Sequence, residues 1–489
     1  MLVQHFNFTP KGNMSNPLSL LPFAIGAHGG SVDRIPAAQL VAAGLTLLQR
    51  CGPLARDLYG KRAALLLPTG PAFLVGLAAG DGRGTVLLNP LGSPDELAFQ
   101  LCDANVGAAF TVAALAGKLP PSVTQVLLDD APHHAALHRA GVVSAIDLGS
   151  HVGLELEGDA DREGLDEEAA VVYTSAMEGQ PLGAILTHRS LLANAHATVE
   201  AAQLTAADHV LALLPYSHLF GMTVTLSAPL LAGARVTTMG RFNPLKAVDA
   251  LVDDGITMLV GVPAVFIAML TAIERRGGTI DVPQLRVCIC GGAALPVWVQ
   301  RKWEAATGCA LRQGYGLTEA SPVCLFNRLD APNRIGSLGT AYPGAEVTIR
   351  NPTTSVELPV SVSGEICVRG ALVGPGYIAD DARGLRRVDG WLHSGDRGSM
   401  DAEGHVSFEG LIKPMFTRNG FNIYPAELAR VVAAMPGVER VEVTAVPEPQ
   451  KEHEIELTVH GTVDEAAVRA WCDARLASYK QPSRVTVVA

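Results

Sequence analysis

Between Arg62 and Asn105 the chain alternates apolar runs with helical stretches, and that rhythm leaves few folds open. Arg62-Ala63-Ala64-Leu65-Leu66-Leu67-Pro68 reads as a buried strand and Pro71 to Ala79 as a helix. Thr85 to Asn89 reads as a second strand. Asp95 to Asn105 reads as a helix with Leu97, Leu101 and Cys102 on one face. Strand, helix and strand in quick succession predict a parallel sheet covered by helices. Gly80-Asp81-Gly82-Arg83-Gly84 is glycine-rich, but it precedes a strand instead of joining a strand to a helix, and its third glycine is misplaced for a dinucleotide loop. A turn is the better reading.

A second α/β unit is expected from near Ala169 to about Asn327. Its strands fall at Ala169–Tyr173, Val210–Leu214, Met258–Gly261 and Leu285–Cys290, with a helix from Pro263 to Arg276. Residues 335 to 408 change character. Short β-prone runs (Glu346–Arg350, Gly364–Arg369, His405–Glu409) are separated by Gly, Pro and Asp, which predicts a small antiparallel sheet or barrel. After Gly410 comes a compact α+β tail, with helices from Tyr424 to Ala434 and Asp464 to Ala477 and strands at Val438–Val446 and Ile455–His460. A chain of 489 residues is too long for one core, so division into domains is expected.

Charged residues make up 17% and apolar residues 48% of the chain, which suits a packed globular protein rather than a disordered one. A net charge of -11 with no run of Lys or Arg argues against nucleic acid as a partner. The eight cysteines form no framework, which fits reduced thiols and a cytoplasmic location. Cys288 and Cys290 share a strand face, where packing is the simpler reading because zinc needs two further ligands at matched spacing. His134 and His138 lie four apart on a candidate helix without an acidic or histidine partner, and are read as surface residues. No apolar stretch approaches the ~18 residues of a membrane span, and residues 1–17 lack a signal-peptide core.

Six short blocks carry the functional information. They are Tyr173-Thr174-Ser175, Pro215-Tyr216-Ser217-His218, Gly291-Gly292-Ala293-Ala294-Leu295, Tyr315-Gly316-Leu317-Thr318-Glu319, Gly390-Trp391-Leu392-His393-Ser394-Gly395-Asp396 and Gly420-Phe421-Asn422-Ile423-Tyr424-Pro425. In this order, from about Arg62 onward, they resemble the adenylate-forming superfamily of acyl-CoA synthetases, peptide-synthetase adenylation domains and luciferases. The resemblance implies an α/β fold. A large N-terminal AMP-binding domain (1–409) would hold two α/β subdomains and a β-rich part at about 330–409, and a small, mobile and shortened α+β domain (410–489) would turn on a hinge at Lys413. It also implies ATP/AMP, Mg²⁺ and coenzyme A as cofactors. The substrate would be a fatty or aryl carboxylic acid, and the acceptor CoA or a carrier-protein thiol.

Joining a carboxylate to the α-phosphate of ATP gathers negative charge, so such a site needs a cation and oriented donors. A hard carboxylate suits Mg²⁺, and Glu319 is the candidate ligand, with Thr318 beside it as donor to the α-phosphate. By resemblance Tyr315 stacks on adenine, Gly292 and Ala293 admit the base to the backbone, Gly316 belongs to the nucleotide site and Asp396 accepts the ribose hydroxyls. Thr174 and Ser175 open the phosphate loop. His218 would orient the acid as a neutral imidazole. Gly420, with Arg418 and Phe421, would line the thiol passage. Taken singly, each residue has a plain alternative: a core aromatic, a turn carboxylate, a backbone-bonded histidine or a turn glycine.

The chain departs from the family pattern in three places, the phosphate loop, the position after Gly410 and the C-terminal end. Ser175-Ala176-Met177-Glu178-Gly179-Gln180-Pro181-Leu182-Gly183 keeps Ser175, Gly179, Pro181 and Gly183 but has Leu182 where the family has lysine. Glu178 adds negative charge, and Leu411 stands where an arginine is usual. The sequence stops at Ala489, before the family's glycine-lysine segment, and Lys480 is not its equivalent in position. The resemblance with these departures implies acyl-AMP chemistry with an impaired adenylation half. The alternatives are a binding protein that has lost adenylation, or a partial enzyme fed with preformed acyl-AMP.

Overall fold

The computed structural model describes residues 21–80, 84–139, 142–149, 165–174, 181–378, 384–412 and 415–488. The first sheet has parallel strands Glu168–Thr174, Thr85–Leu87, Arg62–Leu66, Val106–Thr111 and Thr124–Leu127, in that spatial order. Antiparallel strands extend it on both sides, Leu182–Thr187 at one end and His134–Arg139 at the other. Two expectations change here. The strand at Ala169 completes this first sheet, pairing in parallel with Thr85–Leu87, and does not open the second unit. Its apolar run announces a doubly buried strand, and periodicity carries no information about which sheet receives it. His134 and His138 lie on a strand, not a helix; His134 is exposed. A spacing of four puts two side chains on one face in either structure.

The second sheet places Leu311–Gly316, Val287–Cys290, Met258–Gly261, His209–Ala212, Arg235–Thr238 and Ser31–Val32 side by side, all parallel. Ser31–Val32 reaches it from near the start of the described chain, a strand too short to leave a periodic signal. Leu65, Leu87 and Phe110 of the first sheet and Val210, Met258 and Val287 of the second belong to one continuous core. The helices Ala37–Arg50, Pro71–Ala79 and His188–Ala201 contribute Leu40, Phe73 and Leu191 to the same core. A Cβ on Gly44 would lie 2.3 Å from the Val75 carbonyl oxygen, so the first two helices meet at a separation only glycine allows.

Strands Ala345–Arg350, Gly364–Gly370, Trp391–Met400 and Val406–Leu411 form an antiparallel sheet, as their Gly- and Pro-punctuated sequence predicts. The chain then builds a further core from Phe416, Ile423, Leu428, Ile455, Leu457, Val468 and Val485. Its first hairpin pairs Arg418 with Phe421 around Asn419 (φ 52°) and Gly420 (φ 77°). Asn-Gly with both residues left-handed is the two-residue turn that matches strand twist.

The C-terminal unit is seated on the rest of the chain in two places, at its first turn and around Lys480. A Cβ on Gly420 would fall 2.6 Å from the Val262 side chain, so the turn rests directly on the loop after Met258–Gly261. Lys480, only 4% exposed, places Nζ 2.8 Å from Glu96 and 2.6 Å from Glu427. Glu96 also closes the capping box of helix Pro94–Asp103, and the Ser93 hydroxyl donates to the Arg475 carbonyl (2.8 Å). Burial opposes the Lys480 ammonium, but Tyr479 and the two carboxylates outweigh it and push its pKa up.

Candidate nucleotide and acyl site

Parallel strands share a direction, so their carboxyl ends gather at one edge, and ligands bind in the crevice there. Strands His209–Ala212, Met258–Gly261, Val287–Cys290 and Leu311–Gly316 release at that edge the segments carrying His218, Val262, Gly291–Ala294 and Thr318–Glu319. A cavity of about 440 Å³ lies among these loops, the antiparallel sheet and the C-terminal hairpin. Thr174, Gly292, Ala293, Tyr315, Gly316, Thr318, Glu319 and Asp396 all line it. A smaller cavity of about 90 Å³ is lined by His218 and Gly420, and the two share Gly292, Asn422 and Gly314 to Thr318 as common wall.

The hydroxyl of half-buried Tyr315 donates to Asp396 Oδ2 at 2.6 Å, tying the aromatic to the carboxylate. Burial and the Asp396 charge push the phenol well above its usual range, so it remains a donor. Glu319 is 6% exposed and accepts from the Tyr377 hydroxyl at 2.7 Å. A carboxylate at the cavity wall with one oxygen engaged fits Mg²⁺, which takes few protein ligands and leaves the rest to phosphate and water. His218 Nδ1 accepts from the Phe220 N–H (3.2 Å), which leaves the ring proton on Nε2. Burial lowers its pKa to about 4, so the imidazole is neutral above roughly that pH.

Not every candidate falls here. Ser175 and Lys413 lie outside the described residues. The Arg418 guanidinium binds the Tyr479 and Gln481 carbonyls (3.2 and 2.6 Å) and Glu454, inside the C-terminal unit. Phe421 stacks on Tyr479, with ring centroids 4.3 Å apart. Both replacements noted in the sequence, Leu182 and Leu411, do line the larger cavity. Among its described lining residues there is no lysine or arginine.

Two participants escaped sequence reasoning. Tyr377 comes from Gly376–Tyr377, which pairs with Ala184 and Ile185 at the edge of the first sheet, and no local pattern marks it. Glu365 carries a detectable signal, a carboxylate followed by apolar Ile366, Cys367 and Val368 within one strand. Its Oε1 accepts the Gly395 N–H (2.9 Å) and its Oε2 lies 2.7 Å from His393 Nδ1, bracing the irregular pairing beside Asp396. The ligand atoms of Glu365, Cys367 and His393 lie within 4.8 Å of one another. The Arg386 guanidinium lies 3.0 Å from the same Nδ1 and already supplies positive charge there.

A nucleotide-sized cavity at the carboxyl edge of a parallel sheet, walled by Tyr315, Asp396 and Glu319 and roofed by a small α+β unit, defines an adenylate-forming fold. The chain belongs to the AMP-binding enzyme family, which it matches over residues 54–378, and it is acyl-CoA synthetase-like. It is 31% identical over 435 residues to a feruloyl-CoA synthase of Amycolatopsis sp, covering 87% of this chain and 84% of that one. A long-chain-fatty-acid–CoA ligase of Bacillus subtilis (strain 168) is 28% identical over 461 residues, covering 86% and 81%. Among solved structures, a malonyl-CoA ligase with methylmalonyl-CoA and AMP bound superposes with a TM-score of 0.77 at 25% identity, covering 96% of this chain and 98% of that one. No helix among the described residues is long and apolar enough to cross a membrane.

Proposed function

We propose that the protein joins a carboxylic acid to the thiol of coenzyme A through an acyl-AMP intermediate. The observation that carries this reading is the wall of Gly292 and Gly314 to Thr318 shared by the two cavities. An acid in the smaller cavity and a nucleotide in the larger one meet along that wall, and proximity of this kind supplies much of the barrier reduction in a two-substrate reaction. Tyr315 and Asp396 hold adenosine, and Thr318 donates to the α-phosphate. His218 Nε2 donates to the acid without adding charge. Glu319 would hold Mg²⁺, which neutralises phosphate charge when bound. In the second step the thiol sulfur attacks the acyl carbonyl, the bond to the phosphate oxygen breaks, and AMP departs with the electron pair. Gly420 leaves room for the thiol arm. Residues after about Gly410 act as a unit that reorients between the two steps.

A specific observation favours a narrower form of this reading, in which the protein works mainly on preformed acyl-AMP. Adenylation expels pyrophosphate, and the described cavity wall offers leucines at 182 and 411 but no lysine or arginine to receive it. Thioester formation expels only AMP.

Asp396→Ala and Tyr315→Ala are each expected to weaken AMP binding about 10- to 100-fold while the protein stays folded. Hydrogen bonds to a charged group contribute about 1.5–3 kcal/mol. Calorimetry with AMP is the measurement, and unchanged affinity in both variants removes the nucleotide site from this reading.

A further inference from the structure

The smaller cavity has a wall that restricts what can occupy it. Phe220, Val224, Ile289, Val323 and Phe326 contribute apolar surface. The aromatic rings there close onto backbone: a Cβ on Gly291 would lie 3.1 Å from Phe220 Cζ, and one on Gly314 would lie 3.4 Å from Phe326 Cδ2. Tyr342, also in the wall, turns its hydroxyl away to Thr198 Oγ1 at 2.9 Å. Phe220 and Val224 belong to the π-helical segment Phe220–Ser227, whose wide turn sets both against the cavity. His218, Tyr315 and Tyr342 are the titratable residues among the described lining, and burial keeps each of them neutral.

Size and charge follow from this wall. On the scale where one water needs about 10–15 Å³, a cavity of about 90 Å³ has room for roughly six to nine waters, the space of one small acyl group. A longer chain would have to displace a ring packed on glycine backbone, and overpacking of that kind is costly. A second carboxylate would be buried without a cationic partner, which is costlier still. Resting on the acyl-AMP reading above, we propose that this site selects a compact, uncharged apolar acid, of the size of a benzoyl or hexanoyl group. Long-chain acids and dicarboxylic acids are excluded.

Binding of stable acyl-adenylate mimics tests this without requiring turnover. The probes are adenosine 5′-sulfamate alone and its N-benzoyl, N-hexanoyl, N-octanoyl, N-palmitoyl and N-glutaryl derivatives, measured by calorimetry on the full chain. The benzoyl and hexanoyl compounds are expected to bind at least about 10-fold tighter than the bare sulfamate, and the palmitoyl and glutaryl compounds no tighter. In Val224→Phe, which fills the cavity, the benzoyl compound should lose its advantage over the bare sulfamate. Val224→Ala, the milder change if the first variant does not fold, should improve the octanoyl compound relative to hexanoyl. Tighter binding of the palmitoyl or glutaryl compound than benzoyl overturns the assignment, as does a benzoyl advantage that survives Val224→Phe or an octanoyl-to-hexanoyl ratio unmoved by Val224→Ala. Failure of the bare sulfamate to bind the unaltered protein overturns the nucleotide site itself, and the acyl assignment with it.

Discussion

Purified protein supplied with ATP and an acid is expected to form AMP and pyrophosphate well below about 1 s⁻¹, and Leu182→Lys with Leu411→Arg to raise that rate about 100-fold or more. Ordinary enzymes turn over at 1 s⁻¹ and above. Removing one preorganised donor from a developing charge typically costs 2.7–4 kcal/mol, about 100- to 1,000-fold, so restoring two has a large margin even without additivity. Leu182 is a suitable site because it lines the larger cavity at the start of strand Leu182–Thr187, where a lysine can bury its stem and extend its ammonium into the open volume. Rapid-quench measurement of pyrophosphate is the check, with thioester formation from synthetic acyl-AMP and CoA as the internal control. That second reaction should change little between the two proteins. Turnover of ATP at 1 s⁻¹ or faster by the unaltered chain removes the impaired-adenylation reading.

Lys480→Met is expected to destabilise the C-terminal unit by about 3–5 kcal/mol, because it strands the Glu96 and Glu427 carboxylates without their cation. Two further variants separate docking from folding. Glu96→Gln weakens the contact across the interface, so cleavage by a protease at residues 410–420 should quicken while the C-terminal core keeps its far-UV signature. Glu427→Gln acts within the C-terminal core, in the first turn of helix Pro425–Ala433, and should lower its unfolding midpoint in denaturant. Identical proteolysis of Glu96→Gln and the unaltered protein would falsify the idea that this ion pair seats the unit.

The parts of the site that lay open in the sequence are those made of contiguous residues at strand ends. Tyr315 to Glu319 and Gly291 to Ala294 are each one contiguous segment at a strand end, so order along the chain was enough to bring their residues together. Gly420 was legible only as a turn glycine, although Asn419 beside it carries the local signal of a two-residue hairpin turn. Contacts between distant residues were not legible. Tyr377 reaches Glu319 only because two short strands pair at a sheet edge, and Lys480 finds Glu96 across 384 positions. The strand at Ala169 shows the same limit, since its composition announces burial without naming its neighbours. Arg418 has the side chain of a ligand-binding residue, but its guanidinium is engaged by two carbonyls and Glu454, which appear only when the tail folds.

The seating of the C-terminal unit has a mechanical consequence. Gly420 against Val262 is a stop set by shape, insensitive to salt and pH, whereas Lys480 with Glu96 is a catch set by charge. Were the catch and the neighbouring Ser93–Arg475 hydrogen bond both to open, the glycine stop would remain as a pivot at the mouth of the smaller cavity. A methyl group on Gly420 would act the other way, wedging the stop open while the catch still held.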